Sequence, residues 1–180
     1  MVEAARIRSL EGRMYSTNGV MLSPVEACDR ISLRAEEKAL SALGKALGVS
    51  LPRKPGTSET KNEFSALWIG PDEWFVIGPD NAGLEGKVAR VRAGLFSAVS
   101  INNRNTGIVV AGPNAELALN SGCPQDLSID AFPVGACART IIGKAEVILW
   151  RTSEARFHVE CWRSFSDYVW KYLVASARTA

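Results

Sequence analysis

The stretch Ser65-Ala-Leu-Trp-Ile-Gly-Pro-Asp-Glu-Trp-Phe-Val-Ile-Gly-Pro79 constrains the fold more than any other part of the chain. Two apolar runs flank Gly70-Pro71-Asp72-Glu73. Pro71 presets the backbone for a turn, and Asp72 tolerates the next turn position. Leu67-Trp68-Ile69 and Trp74-Phe75-Val76-Ile77 are rich in aromatic and β-branched residues, which suit strands. The reading is a β-hairpin with a four-residue loop, Ile69 opposite Trp74, Trp68 opposite Phe75 and Leu67 opposite Val76. Neighbouring strand residues point to opposite faces, so both faces of this hairpin are apolar. An antiparallel pair ordinarily leaves one face in water. Each face here needs a cover, from the chain's own elements or from a partner.

At 180 residues the chain suits one domain or two small subdomains sharing a core. A net charge of +2 gives no strong pull toward nucleic acid or an anionic membrane. Lys87, Arg90 and Arg92 read as the wet face of a helix. The first residues lack the apolar core of a signal peptide. No apolar run approaches the ~20 residues that span a bilayer, so a cytoplasmic protein is expected. Cys28, Cys123, Cys137 and Cys161 are widely spaced and read as free, buried thiols.

In order along the chain, residues 1–19 read as a polar arm and 20–180 as one α+β domain. Strands are expected at Val20–Leu22, ended by Pro24, and at Arg30–Arg34. A helix from about Ala35 to Leu47 stops at Gly48, and Leu51–Lys61 is a loop. After the hairpin, Asp80 or Asn81 caps a helix reaching Leu95 through the stripe Leu84, Val88, Val91 and Leu95. Strands at Ser97–Ile101 and Ile108–Val110 flank a polar turn, and a short helix covers Asn114–Asn120. A loop with buried anchors Leu127 and Phe132 leads to a meander at Arg139–Ile142, Glu146–Trp150 and Arg156–Trp162. Ser164 caps a last helix with the core stripe Phe165, Val169, Tyr172 and Leu173. Short turns join most strands, so the sheets should be largely antiparallel.

Few residues suggest chemistry. The one histidine, His158, sits in a strand and reads as solvent-facing or hydrogen-bonded. Paired cysteines, a nucleophile elbow and phosphate-binding glycine loops are all missing from the sequence. Asp72-Glu73 reads as a solvated turn tip, and Cys123 as a structural thiol. No catalytic, cofactor-binding or metal-ligating residue is assigned. The five tryptophans are many for this length. Trp170 lies about 140° around its helix from Phe165, outside the expected stripe. Trp68, Trp74, Trp162 and Trp170 are therefore the candidate interface, on a chain that reads as part of a larger assembly.

Leu67-Trp-Ile-Gly-Pro-Asp-Glu-Trp74, Val109-Val-Ala-Gly-Pro-Asn-Ala115, Gly122-Cys-Pro-Gln-Asp-Leu127, Phe132-Pro-Val-Gly-Ala-Cys-Ala-Arg-Thr140 and Arg163-Ser-Phe165 together resemble the gamma subunit family of heterotetrameric sarcosine oxidase. The resemblance covers about Ile31 to Val174. It implies a fold similar to the folate-binding domain of glycine-cleavage aminomethyltransferases. It also implies a non-catalytic role beside alpha, beta and delta subunits, in a complex that oxidatively demethylates sarcosine to glycine. That complex releases hydrogen peroxide, with formaldehyde or 5,10-methylenetetrahydrofolate. FAD, FMN and NAD are implied on the alpha and beta subunits and zinc on delta, with none on this chain. The alternative is a stand-alone tetrahydrofolate-binding protein of the aminomethyltransferase type. Against it, Ile101-Asn-Asn-Arg-Asn105 lacks the Asp found in the corresponding segment of such relatives.

Overall fold

The computed structural model describes residues 9–180. Among these residues eleven strands form two sheets, antiparallel at every named pairing. The first sheet holds β1 (Tyr15–Ser16), β2 (Met21–Pro24), β8 (Asn105–Ala111), β11 (Arg156–Trp162), β10 (Ala145–Ser153) and β9 (Cys137–Ile142), in that order. The second holds β4 (Ser58–Lys61), β5 (Phe64–Gly70), β6 (Glu73–Pro79), β3 (Cys28–Ala35) and β7 (Phe96–Ser100). Helices α1 (Leu40–Leu47) and α2 (Leu84–Val88) cover the outside of the second sheet. Helices α3 (Ala115–Asn120) and α4 (Ser166–Ala177) cover the outside of the first. The α+β class with antiparallel sheets read from the sequence is the one observed.

The hairpin β5–β6 shows why the layers stack this way. Ala66, Trp74 and Val76 point to the α1–α2 side, with Trp68 packed beside them. Leu67, Ile69, Phe75 and Ile77 point the other way and meet Cys137 and Ile148 of the first sheet. The chain therefore supplies both covers itself. The register differs from expectation by one residue. Trp68 pairs with Trp74, Leu67 with Phe75 and Ala66 with Val76, because a bulge at Ile69 takes up the extra residue before the turn. A bulge cannot be seen in an apolar run, since every residue of the run suits a strand.

Other boundaries moved for local reasons. The expected loop at Leu51–Lys61 contains β4, whose polar sequence Ser-Glu-Thr-Lys suits an exposed sheet edge. Residues 37–39 form a 3-10 turn before α1, and Gly48 ends α1 in the left-handed conformation, φ 82°. Helix α2 starts after Gly83, not at Asp80 or Asn81, and stops at Val88. Leu95, expected on its stripe, is 75% exposed. Residues 1–8 of the expected arm lie outside the described residues. Of the rest, Leu10 is buried in the outer core of the first sheet and Tyr15–Ser16 pairs with Met21–Leu22.

The last helix corrects the tryptophan reading. Phe165 precedes α4 and is 44% exposed, so it cannot serve as the phase marker for the stripe. The buried face runs through Ser166, Val169, Trp170, Leu173 and Ala177. Trp170 is only 7% exposed and belongs to the core. Ser164 makes no cap, and Asp167 pairs instead with Arg13 and Lys171, each at 2.7 Å.

Trp170→Ala should cost about 3–5 kcal/mol, as large-to-small changes in packed aromatic sites do. Trp162→Ala, at a half-exposed site, should cost well under half of that. Urea denaturation of the two variants, followed by circular dichroism, measures both against the wild type.

Candidate functional site

The space between the sheets is lined by apolar side chains except where charges cross it. Along β11, Phe157, Val159 and Cys161 turn outward into the helix-covered core. His158 and Glu160 turn inward, toward the second sheet. Glu160 is 1% exposed, and Arg30 from β3 reaches it across the gap. The Arg30 Nε donates to both carboxylate oxygens at 2.9 Å. Arg30 Nη1 also donates to the Cys28 carbonyl at 3.2 Å. His158 Nε2 donates to Glu160 Oε1 at 2.7 Å. An ionised carboxylate only accepts, so Nε2 is the donor of this bond. Trp150 lies against the other side of the imidazole, ring centroids 5.8 Å apart.

Burial alone would raise the Glu160 pKa. The hydrogen bond from His158 and the charge of Arg30 outweigh it and hold the carboxyl below the usual carboxylate range. His158 is thus the hydrogen-bonded strand histidine the sequence allowed for, but it is buried and its partner is two residues away on its own strand. The alternation of β11 put His158 and Glu160 on one face; nothing in the sequence announced Arg30 as the counter-charge.

A second ionic cluster ties the sheets near the hairpin turn. Asp72 is exposed, as read, and lies 4.0 Å from Arg34. Glu73 is not: it is 9% exposed and accepts from Arg139 of β9 at 2.8 Å and Arg34 of β3 at 3.3 Å. Alternation along β6 puts Glu73 on the same inward face as Phe75 and Ile77, and the two arginines compensate its burial. On the far face of the first sheet, buried Arg151 donates to the Phe132 carbonyl at 3.0 Å and to Glu116 at 2.7 Å. Its guanidinium also sits 4.5 Å from the centre of the Phe157 ring. Arg151 pins the loop whose anchors Leu127 and Phe132 the sequence picked out.

These charges serve each other. The thiols fit the same picture: burial pushes Cys137 and Cys161 up to about 12 and Cys28 up to about 11, which keeps them protonated at neutral pH. Among the described residues no group of three or more His, Cys, Asp or Glu side chains could hold a metal ion. A cavity of about 610 Å³ opens at the start of β3. Its walls set Arg13, Arg30 and Arg163 against Glu11, Glu26 and Asp80, and Arg30 is engaged with Glu160.

The candidate interface tryptophans divide. Trp74 is 2% exposed and its Nε1 donates to the Pro52 carbonyl at 2.7 Å. Trp68 is half-buried against the α1–α2 core, and Trp170 is in the opposite core. Only Trp162 of the four is open to solvent, at 46%. Phe165, expected in the core, stands beside it with ring centroids 6.3 Å apart.

The family described as sarcosine oxidase, gamma subunit matches residues 34–178. A sarcosine oxidase subunit gamma from Arthrobacter sp. is 32% identical over 164 residues, covering 88% of this chain and 81% of that protein. One from Corynebacterium sp. strain U-96 is 28% identical, covering 86% and 78%. A chain of the solved heterotetrameric sarcosine oxidase from Corynebacterium sp. U-96 superposes with a TM-score of 0.84 at 24% identity, over 95% of this chain and 90% of that one. Glycine cleavage system aminomethyltransferase T from Bartonella henselae gives a TM-score of 0.63 at 12% identity, over 89% of this chain and 49% of that one. At those identities the two structures show the fold alone.

Glu160→Gln should destabilise the chain by about 3–5 kcal/mol, because it leaves the Arg30 charge buried without its counter-charge. The pH dependence should change with it. With the folded carboxyl depressed, the wild type holds the full Glu160 contribution above the unfolded glutamate value of about 4.3 and loses it as pH falls through the lower folded value. Urea midpoints measured from pH 7 down to pH 3 should fall less steeply below pH 4.5 in Glu160→Gln than in wild type.

Proposed function

The chain belongs to the sarcosine oxidase gamma subunit family, and from that premise we propose that it is the non-catalytic assembly subunit of a heterotetrameric sarcosine oxidase. The observation that carries this reading is the 32% identity to a curated gamma subunit across 81% of its length. The interior supports it. The buried charges Arg30, Glu160, Glu73 and Arg151 are all engaged in holding the sheets and loops together. A catalytic acid or base would need to face a substrate, and a nucleophilic thiol would need a lowered pKa. The buried thiols have the opposite shift.

In this reading the alpha, beta and delta subunits are the partners. The alpha and beta subunits carry the FAD, FMN and NAD, whose flavins would take electrons from sarcosine and pass them to oxygen, and the delta subunit carries a redox-inert zinc. This chain contributes a rigid surface on which the larger subunits are held in place. The complex works in the cytoplasm; no helix among the described residues is long and apolar enough to cross a membrane. The curated relatives favour this reading over a stand-alone folate-binding protein, for which the aminomethyltransferase likeness offers only the fold.

Co-expression with the flavin-bearing subunits should yield this chain in equimolar amount in the purified complex. Omitting it should lower the recovery of active complex several-fold. The isolated chain titrated with tetrahydrofolate should show no saturable micromolar change in tryptophan fluorescence. A chain that stays apart from the flavin-bearing subunits and binds tetrahydrofolate on its own would overturn the proposal.

A further inference from the structure

Side chains alternate along β11, so His158, Glu160 and Trp162 share its inward face. The second sheet covers the first two, at 9% and 1% exposed, but leaves Trp162 46% exposed. Trp162 is the last residue of its strand and pairs with Asn105, the first residue of β8. Phe165 follows in the 3-10 turn before α4 and is 44% exposed. The two rings meet with centroids 6.3 Å apart. Two half-exposed aromatic rings in contact make one continuous apolar surface.

A cation is fixed against this surface. The Arg104 guanidinium lies 5.8 Å from the centre of the Trp162 ring. The Arg104 backbone is held at both ends: its N–H donates to the Ile101 carbonyl at 3.0 Å, and its carbonyl accepts from the Arg163 N–H at 2.7 Å. Its Nε donates to the side-chain oxygen of buried Asn105 at 3.1 Å. The guanidinium is thus tethered beside the indole ring. Arg13, Arg30, Arg34, Arg53, Arg139 and Arg151 each reach a carboxylate of this chain. Exposed Arg104 reaches none among the described residues. Glu146 is exposed and lines the same narrow opening as Arg104 and Trp162, yet it makes no ion pair with the arginine.

This arrangement defines what fits it. An arginine stacked on an aromatic ring keeps a planar fork of N–H donors, and a carboxylate matches that fork with two parallel bonds. The tether restricts the side chain before any partner arrives, so less freedom is lost on pairing. Trp162 and Phe165 take an apolar side chain beside the carboxylate, and Trp and Arg are the residues that most often dominate the binding energy of protein contacts. The exposed Glu146 carboxylate repels a second acid, so the incoming surface carries its acid toward Arg104 alone.

Resting on the subunit reading above, we propose that Arg104, Trp162 and Phe165 form a contact site for another subunit of the complex, which lays a carboxylate on the Arg104 guanidinium and seats an apolar side chain on the two rings. The incoming carboxylate supplies the counter-charge that no described residue of this chain brings to Arg104, and the rings exclude water from the pair, which strengthens it.

The test is co-purification of the complex with full-length variants of this chain. Trp162→Ser removes the ring that the cation and Phe165 both touch. Arg104→Gln removes the charge and keeps a polar side chain. Both positions are exposed, so both variants should melt within a few degrees of wild type as isolated chains. Each should lower the amount of this chain retained by the other subunits about tenfold or more. Leu117→Lys, on exposed α3, should be retained like wild type. Hydroxyl-radical labelling of Trp162 and Phe165, read by mass spectrometry on the wild type, should fall at least fivefold in the complex relative to the free chain. Wild-type retention of either variant, or unchanged labelling in an intact complex, overturns the inference and leaves the subunit reading standing. A dimer of the chain alone in sedimentation, lost in both variants, overturns it in favour of a second copy whose Glu146 meets Arg104. Failure of the wild-type chain to join any subunit removes the subunit reading, and this inference with it.

Discussion

The hairpin β5–β6 has no polar face, and the rest of the structure follows from covering both sides of it. Helices close one side and the first sheet the other, which makes the layers helix, sheet, sheet, helix. Two sheets pressed together through apolar side chains could slide, since apolar contacts have little preference for position. The ionic contacts remove that freedom. Arg30 and Glu160 join β3 to β11, and Glu73 and Arg139 join β6 to β9. Each pair is satisfied only at one relative placement of the sheets. A buried ion pair adds little net stability over an apolar substitute, but breaking one half is costly. The value of these pairs here is register.

The sequence was legible where periodicity alone decides. The hairpin, the meander, the stop at Gly48 and the anchors Leu127 and Phe132 all rest on local pattern, and all are in place. It failed where a single residue of phase mattered. The bulge at Ile69 shifted the hairpin pairing by one residue, and β6 begins at Glu73, so the residue read as part of a solvated tip is a buried charge. Counting α4 from Phe165, which lies in a 3-10 turn, placed Trp170 outside and Phe165 inside; the structure exchanges them. The exposed aromatic surface at that end of the chain is therefore real, but it consists of Trp162 and Phe165. Arg30 was invisible as a partner for Glu160, because 130 residues separate them and strand alternation gives no long-range pairing.

The four sheet edges show how little of this chain is left open for strand pairing. β1 is two residues long, and β4 is short and polar. At β7, the outward N–H of Ser100 is taken by the Glu85 carboxylate, and α2 packs beside the strand. These are the devices by which single proteins avoid pairing with their neighbours. β9 is treated differently: loops close its two ends and its middle keeps an exposed isoleucine. If β9 were a solvent-facing edge like the others, a charge at position 141 would be the simple protection. An apolar residue there leaves the middle of β9 without the protection that the other three edges carry.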